Sequence, residues 1–345
     1  MSANLKQQWN VIKSNNPRLR IRDAATELGV SEAELLATDC GSDTTLRLEG
    51  DWKELLKRIP DLGKVMALTR NDSAVSERKG NYENVDMGGH WGLVLGKEID
   101  LRLNINNWKY AYAVVREMHG RTLRSVQFFD QYGTAVHKIY LQDEEYLAAF
   151  NKLVADYTSK DQSQNQSADK KPQPEPEKPD SMIDKDGFLE AWSKLQDTHD
   201  YFPMLKDYGV SRIQAMRLAE GVYTRQVDLS SLRYMLESAA EKKLPIMNFV
   251  GNTGAIQIFT GTVERLKVIN NYYNILDTDF NLHVREDLLG SAWVVEKPTE
   301  DGLVTSLEFF DKNGQNIMLF FGARKPGIPE LKEWRELVKT IQPKN

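Results

Sequence analysis

A chain of 345 residues is long enough for two domains, each with a core of its own. Charged residues at 28% and hydrophobic ones at 41% give an ordinary globular composition, and a net charge of −5 offers no basic field for a phosphate backbone, which argues against nucleic acid as a partner. The single cysteine, Cys40, excludes an internal disulfide and any zinc or iron–sulfur site built from several thiolates.

The opening MSANLKQQWNVIKSNN has no basic cluster followed by an apolar core. No run of about 18 apolar residues occurs anywhere, so the expectation is a cytoplasmic protein that is not membrane-embedded. Helical periodicity marks 5–15, 22–28, 31–37 and 52–58. Short alternating runs rich in β-branched and aromatic residues then mark strands at 64–69, 92–95, 99–105, 110–116, 123–130 and 135–141. Phe129-Asp130-Gln131-Tyr132-Gly133-Thr134 reads as a hairpin turn in which the glycine supplies positive φ, and an amphipathic helix over 144–157 closes the segment. From 158 to 186 the chain alternates prolines, charges and small polar residues with almost nothing to bury, the composition of a flexible or polyproline linker.

After the linker the design repeats. Helices are expected at 187–202, 211–219 and 229–240, strands at 245–250, 255–260, 280–284, 292–296, 303–311 and 317–321, a turn at Phe310-Asp311-Lys312-Asn313-Gly314-Gln315, and a closing helix at 329–341. Ser125-Val126-Gln127-Phe128-Phe129-Asp130 and Gly133 line up with Ser306-Leu307-Glu308-Phe309-Phe310-Asp311 and Gly314 at an offset of 181. Gly80 and Gly261, Ala74-Val75 and Ala255-Ile256, and Leu101-Arg102-Leu103 and Leu282-His283-Val284 share that offset, and Gly29-Val30-Ser31 meets Gly209-Val210-Ser211 at 180. The unit is too long for a solenoid repeat. The reading is an α+β protein with an internal duplication: a first half 1–157, a linker 158–186 and a second half 187–345, each half with a large antiparallel sheet flanked by helices.

One stretch of the second half carries the chemistry. Phe188, Trp192, Leu195, His199 and Phe202 fall on one helical stripe, and Pro203 is expected to end that helix, which places His199 inward in its last turn, near the negative end of the dipole. Such a histidine is either a core residue bonded to a carbonyl or an iron ligand. Leu19 stands opposite it in the first half, and Arg102 stands opposite His283, so these groups belong to one copy only. No glycine-rich phosphate loop with its lysine, no GxGxxG, no HExxH and no nucleophile elbow is present. Arg212, Lys297 and Arg324 are each readable as surface charges, but with an apolar slot and one imidazole they suit a flat hydrophobic dianion such as haem, whose propionates need cations at the pocket edge.

Over essentially its full length the chain resembles the bacterial haem-utilisation proteins HemS, HmuS, ChuS and PhuS. The shared features are Trp192 to His199 with Phe202, Gly251-Asn252 with Gln257-Ile258-Phe259-Thr260-Gly261, Asp100-Leu101-Arg102-Leu103, and Lys297-Pro298-Thr299 leading to Thr305-Ser306-Leu307-Glu308. The resemblance implies stacked antiparallel sheets with a haem cleft between the halves, haem b as the bound group, and His199 as the proximal iron ligand. It implies also that Arg102 lies on the distal side, where a guanidinium can hydrogen-bond an iron-bound ligand, and that Arg212, Lys297 and Arg324 hold propionates. Two positions depart from the pattern: Phe321 replaces a tyrosine able to bond a propionate, and Asn104 replaces a phenylalanine found in some members opposite the aromatic equivalent to Phe202.

The function so implied is that of a cytoplasmic protein of haem uptake and iron acquisition, which receives haem from an inner-membrane importer and degrades it to release iron, with Arg102 organising the distal ligand and the reductant unspecified. A carrier that delivers haem to a downstream haem protein needs the same pocket. A structural or protein-interaction domain, by contrast, would give no Soret band with hemin.

Overall fold

The computed structural model describes residues 2–17, 19–118, 120–325 and 327–344. In the first half the elements are α1 (Ser2–Asn15), α2 (Ile21–Glu27), α3 (Glu32–Ala37), β1 (Thr45–Leu48), α4 (Trp52–Lys57), β2 (Val65–Arg70), β3 (Ala74–Gly80), β4 (Val85–Asp86), β5 (Gly92–Leu95), β6 (Asp100–Leu103), β7 (Tyr110–Met118), β8 (Arg121–Phe129), β9 (Ala135–Leu141) and α5 (Leu147–Tyr157). The second half repeats the plan with α6 (Lys185–Ser193), α7 (Tyr201–Tyr208), α8 (Arg212–Leu218), β10 (Thr224–Val227), α9 (Ser231–Glu241), β11 (Ile246–Gly251), β12 (Ala255–Gly261), β13 (Leu266–Ile269), β14 (Tyr272–Leu276), β15 (Phe280–Arg285), β16 (Leu289–Thr299), β17 (Gly302–Asp311), β18 (Asn316–Gly322) and α10 (Lys332–Lys339).

The strands form two nine-stranded antiparallel sheets, ordered β1-β7-β8-β9-β2-β3-β15-β14-β13 and β10-β16-β17-β18-β11-β12-β6-β5-β4. Replacing every strand of one order by its sequence counterpart gives the other, so the duplication read from the sequence is present strand by strand. Six strands lay outside the sequence expectation: β1, β3, β4, β10, β13 and β14. β1, β4, β10 and β13 are edge strands of four residues or fewer, β14 beside an edge has five, and β3 carries the charged run Ser76-Glu77-Arg78-Lys79, so none shows a long apolar alternation.

Local signals explain why the copies fold alike. Ser31 and Glu34 make a full capping box at the start of α3, with Ser31 Oγ accepting from Glu34 N (3.2 Å) and Glu34 Oε2 from Ser31 N (2.8 Å). Ser211 caps α8 through Gln214 N (3.0 Å). In the two hairpins Asp130 Oδ1 accepts from Tyr132 N and Thr134 N, as Asp311 Oδ1 does from Asn313 N and Gln315 N. Both turns hold a glycine at positive φ, +69° at Gly133 and +77° at Gly314.

The chain forms two compact units. The first comprises Met1–Arg70, Glu77–Pro172 and Gly251–Gln257; the second comprises Asn71–Ser76, Gln173–Val250 and Ile258–Asn345. Each therefore includes one hairpin turn from the other half of the sequence. In the first unit Asn252 Nδ2 donates to Arg70 O and Val136 O, both 2.8 Å, and Trp108 Nε1 donates to Gly254 O at 2.9 Å. In the second, Asn71 Nδ2 donates to Ile317 O at 2.7 Å, the sequence counterpart of Val136.

The segment expected as a linker is bonded over much of its length. Ser159 N donates to Arg47 O (2.9 Å), Gln162 Oε1 accepts from Arg47 N (2.9 Å), and Asp169 N donates to Gln131 O (2.9 Å). Further on, Gln214 Nε2 donates to Lys178 O and Asp180 Oδ1, both 2.7 Å. Both the backbone of this stretch and its polar side chains, Gln162 and Asp180 among them, take part in those bonds.

Candidate functional site

Within the second unit, strand alternation sorts β16 and β17 into two faces. Trp293, Val295 and Phe310 pack against Phe188, Trp192, Tyr201, Leu205 and Met216 of α6, α7 and α8, whereas Ala292, Val294, Leu307 and Phe309 pack with α9 and α10. Lys297, Ser306 and Glu308 share the face of Trp293, by alternation and by the pairing of Trp293 with Glu308. Polar groups on that face are thereby placed under α7 and α8.

The helix expected over 187–202 is interrupted, and His199 does not face inward. Asp184 caps α6, Phe188 and Trp192 are fully buried as expected, and Trp192 Nε1 donates to Glu296 O at 2.9 Å. The helix then stops at Ser193, and a 3₁₀ turn (Thr198–Asp200) leads into α7. The reason is a second capping box: Asp197 accepts from His199 N at 2.7 Å, and Asp200 Oδ2 accepts from Asp197 N at 2.9 Å. An aspartate is a better N-cap than a helix-interior residue, so the box overrides the apolar stripe. Pro203 is the third residue of α7, where a missing N–H costs nothing, so it begins a helix instead of ending one. His199 consequently has a side chain 90% exposed, near the start of α7 and not at a helix C-terminus, and Phe202 is 61% exposed.

The imidazole is nevertheless fixed. His199 Nδ1 lies 2.5 Å from Asp197 Oδ1, and His199 N donates to that same oxygen, while Nε2 has no protein partner among the described residues. These bonds from His199, the backbone one foremost, hold the Asp197 carboxyl below the usual aspartate range.

Beneath Phe202 lies a buried charge cluster. Arg212 donates to Glu308 through Nε (2.8 Å) and Nη2 (2.9 Å), and Lys297 Nζ lies 3.0 Å from Glu308 Oε1, which also accepts from Ser306 Oγ at 2.9 Å. Burial alone would raise the Glu308 carboxyl, but the Arg212 guanidinium and the Lys297 ammonium together hold it down at about 2; burial in turn lowers Lys297, partly offset by Glu308. The guanidinium carbon sits 5.2 Å from the Phe202 ring centre and 5.4 Å from that of Tyr201, and Lys297 Nζ is 4.6 Å from the Tyr201 ring. Two cations and one carboxylate leave the cluster with a net charge of +1. Tyr201 is 1% exposed, and its hydroxyl is buried without a hydrogen-bond partner.

Arg324 follows β18 and stands apart from this cluster: Nη2 is 2.9 Å from Asp301 Oδ2, and its Nε is buried without a partner. Arg102 belongs to the first unit, on β6, where Nη1 pairs with Asp100 and donates to Leu101 O at 3.1 Å. Phe321 packs edge-on against Phe249 with ring centres 5.3 Å apart, and Asn104 Oδ1 is buried without a partner. The structure thus gathers Phe202, Arg212 and Lys297, sets His199 in the turn that opens the same helix as Phe202, and pairs Arg324 with Asp301 and Arg102 with Asp100. Sequence reasoning missed Asp197, Tyr201 and Glu308 as site residues. The signals were present: a D-x-x-D capping pattern around His199, and a charged residue inside the apolar strand Leu307-Glu308-Phe309.

The fold and this site define a class: a duplicated α+β protein with one presented imidazole beside buried cations and aromatic rings. The chain belongs to the haemin-degrading HemS/ChuX domain family, whose model matches it twice, at residues 29–157 and 209–341. It is 36% identical over 342 residues to the hemin transport protein HmuS of Yersinia pestis, covering 99% of this chain and 98% of that one. Among solved structures it is similar to holo-PhuS, a haem-binding protein from Pseudomonas aeruginosa, with 42% identity, a TM-score of 0.95 and full coverage of both chains. It is likewise similar to the haem-degrading enzyme ChuS of Escherichia coli O157:H7, with 33% identity, a TM-score of 0.91, and coverage of 99% of this chain and 100% of that one.

Proposed function

We propose that this chain is a cytoplasmic haem acceptor of bacterial haem uptake, which takes haem b as its cargo through His199 Nε2 and, given a reductant, opens the macrocycle and releases iron. The observation that carries the reading is the His199–Asp197 pair: an exposed imidazole whose Nδ1 is occupied and whose Nε2 is free to ligate a metal. The surroundings fit the group. Phe202 offers an exposed flat ring, the Arg212–Lys297–Glu308 cluster has a surplus positive charge for a carboxylate, and the orphaned Tyr201 hydroxyl and Arg324 Nε are donors without acceptors. Haem supplies redox-active iron; the residues of the chain bind it, orient it and neutralise its carboxylates.

A carrier that hands haem to a second haem protein is the other reading. The pairing of Arg102 with Asp100 and Leu101 O favours it, since a carrier does not need that guanidinium to act on a distal ligand.

Hemin titration of the purified protein, followed by reductant in air with catalase present, tests both. A stoichiometric Soret band that bleaches with iron release is expected, with the defined band lost in His199→Ala and retained in Arg102→Ala with altered binding of exogenous ligands. A stable band that transfers to a second haem protein would establish the carrier. Absence of a band in the unaltered chain would sink both and leave the structural-domain reading.

A further inference from the structure

His199 is held by chemistry and not by packing. With a side chain 90% exposed, its ring has no wall to fix χ1 and χ2, and the short contact of Nδ1 with Asp197 Oδ1 is what orients it. The backbone that carries this carboxylate is held by Asp200, whose Oδ2 accepts from the N–H groups of Gln196 (3.2 Å) and Asp197 (2.9 Å). The turn therefore contains a relay in which Asp200 fixes Asp197 and Asp197 fixes the imidazole.

Resting on the assignment of His199 as the haem ligand, we propose that Asp197 is the positioning residue of the site: it fixes the Nδ1–H tautomer, presents Nε2 as donor atom, and strengthens the bond that atom makes to iron. A metal-bound imidazole whose second nitrogen donates to a carboxylate is a stronger donor than one that donates to a neutral group. The stronger donor favours ferric over ferrous iron, so Asp197 lowers the reduction potential of the bound group and tightens ferric binding.

Asp197 is also the N-cap of the 3₁₀ turn, and a purely structural role must be separated from this one. Asp197→Asn does so, because asparagine caps a helix about as well as aspartate and can still accept from Nδ1–H, but carries no charge. The expected result is an unchanged circular dichroism spectrum and melting temperature, a more positive reduction potential of the hemin complex, and ferric hemin affinity weakened about 10- to 100-fold. Asp197→Ala removes the acceptor too. Nitrogen-15 NMR of the imidazole in the haem-free protein at pH 8 should show the Nδ1–H tautomer in the unaltered chain and a tautomer mixture in Asp197→Ala.

His199→Ala is the control that distinguishes the two possible failures. If it retains the parent spectrum, the ligand assignment falls and the positioning role falls with it. If it loses the spectrum while Asp197→Asn keeps the parent potential and affinity, the haem reading stands and the positioning role is overturned.

Discussion

Glu32 and Arg212 occupy the same place in the two copies, the first residue of the helix after the capping serine, yet carry opposite charges. In the first unit Glu32 pairs with Arg70 and with Lys138 (2.6 Å), and although burial opposes it these cations hold the carboxyl at about 2. In the second unit Arg212 pairs with Glu308 beside Lys297. Both triads sum to one positive charge, so the duplication kept a buried cluster while exchanging its members. A third buried group is specific to the first unit: His137 accepts or donates to Thr69 Oγ1 (2.9 Å) and Tyr82 Oη (2.7 Å), and burial lowers its pKa to about 3. Its folded value lies below its unfolded value of 6.5, so the unfolded chain binds the extra proton between pH 6.5 and 3 and stability falls as pH drops through that window. His137→Gln should flatten the pH dependence of unfolding free energy between pH 6.5 and 4.5 by up to about 1.4 kcal/mol per pH unit, measured by urea denaturation at a series of pH values.

At the scale of elements, capping outweighed periodicity around His199, and turns held the copies in register. Gly133 shows how tightly a turn is coupled to a helix start: a Cβ there would lie 2.2 Å from Oγ of Ser31, the residue that caps α3. Gly120 has a similar φ of +72°, but a Cβ there meets nothing within 4 Å. Gly120→Ala should therefore show only the backbone cost of about 1 kcal/mol, and Gly133→Ala about 2–3 kcal/mol, because the clash displaces the cap as well. Equal losses in denaturant titrations of the two variants would show that the Ser31 contact is immaterial.

For the whole molecule, the assignment of one hairpin turn from each sequence half to the unit of the other means that a first half produced without the second would lack 251–257. Asn252 anchors that turn: besides its two donated bonds, its Oδ1 accepts from Gly254 N (2.8 Å) and Ala255 N (2.9 Å). Asn252→Ala leaves two carbonyls and two N–H groups without those partners and should cost about 2–4 kcal/mol, read as a lower denaturation midpoint with an unchanged slope.

Periodicity, turn residues and the offset of 181 were enough to determine the duplication, the α+β class and most strands, because these are properties of neighbouring residues and of their repetition. The resemblance of its motifs pointed to the family before any coordinate did. Tertiary structure alone decided that Glu308 lies beneath Arg212 and Lys297, since these three meet only when β16, β17 and α8 are packed, and ion pairing across 96 residues leaves no local pattern. It also decided the environment of His199. The apolar stripe and the capping box made opposite demands on the same residues, and the box prevailed because its hydrogen bonds are satisfied within the turn, which left the imidazole in solvent with one nitrogen held and the other presented.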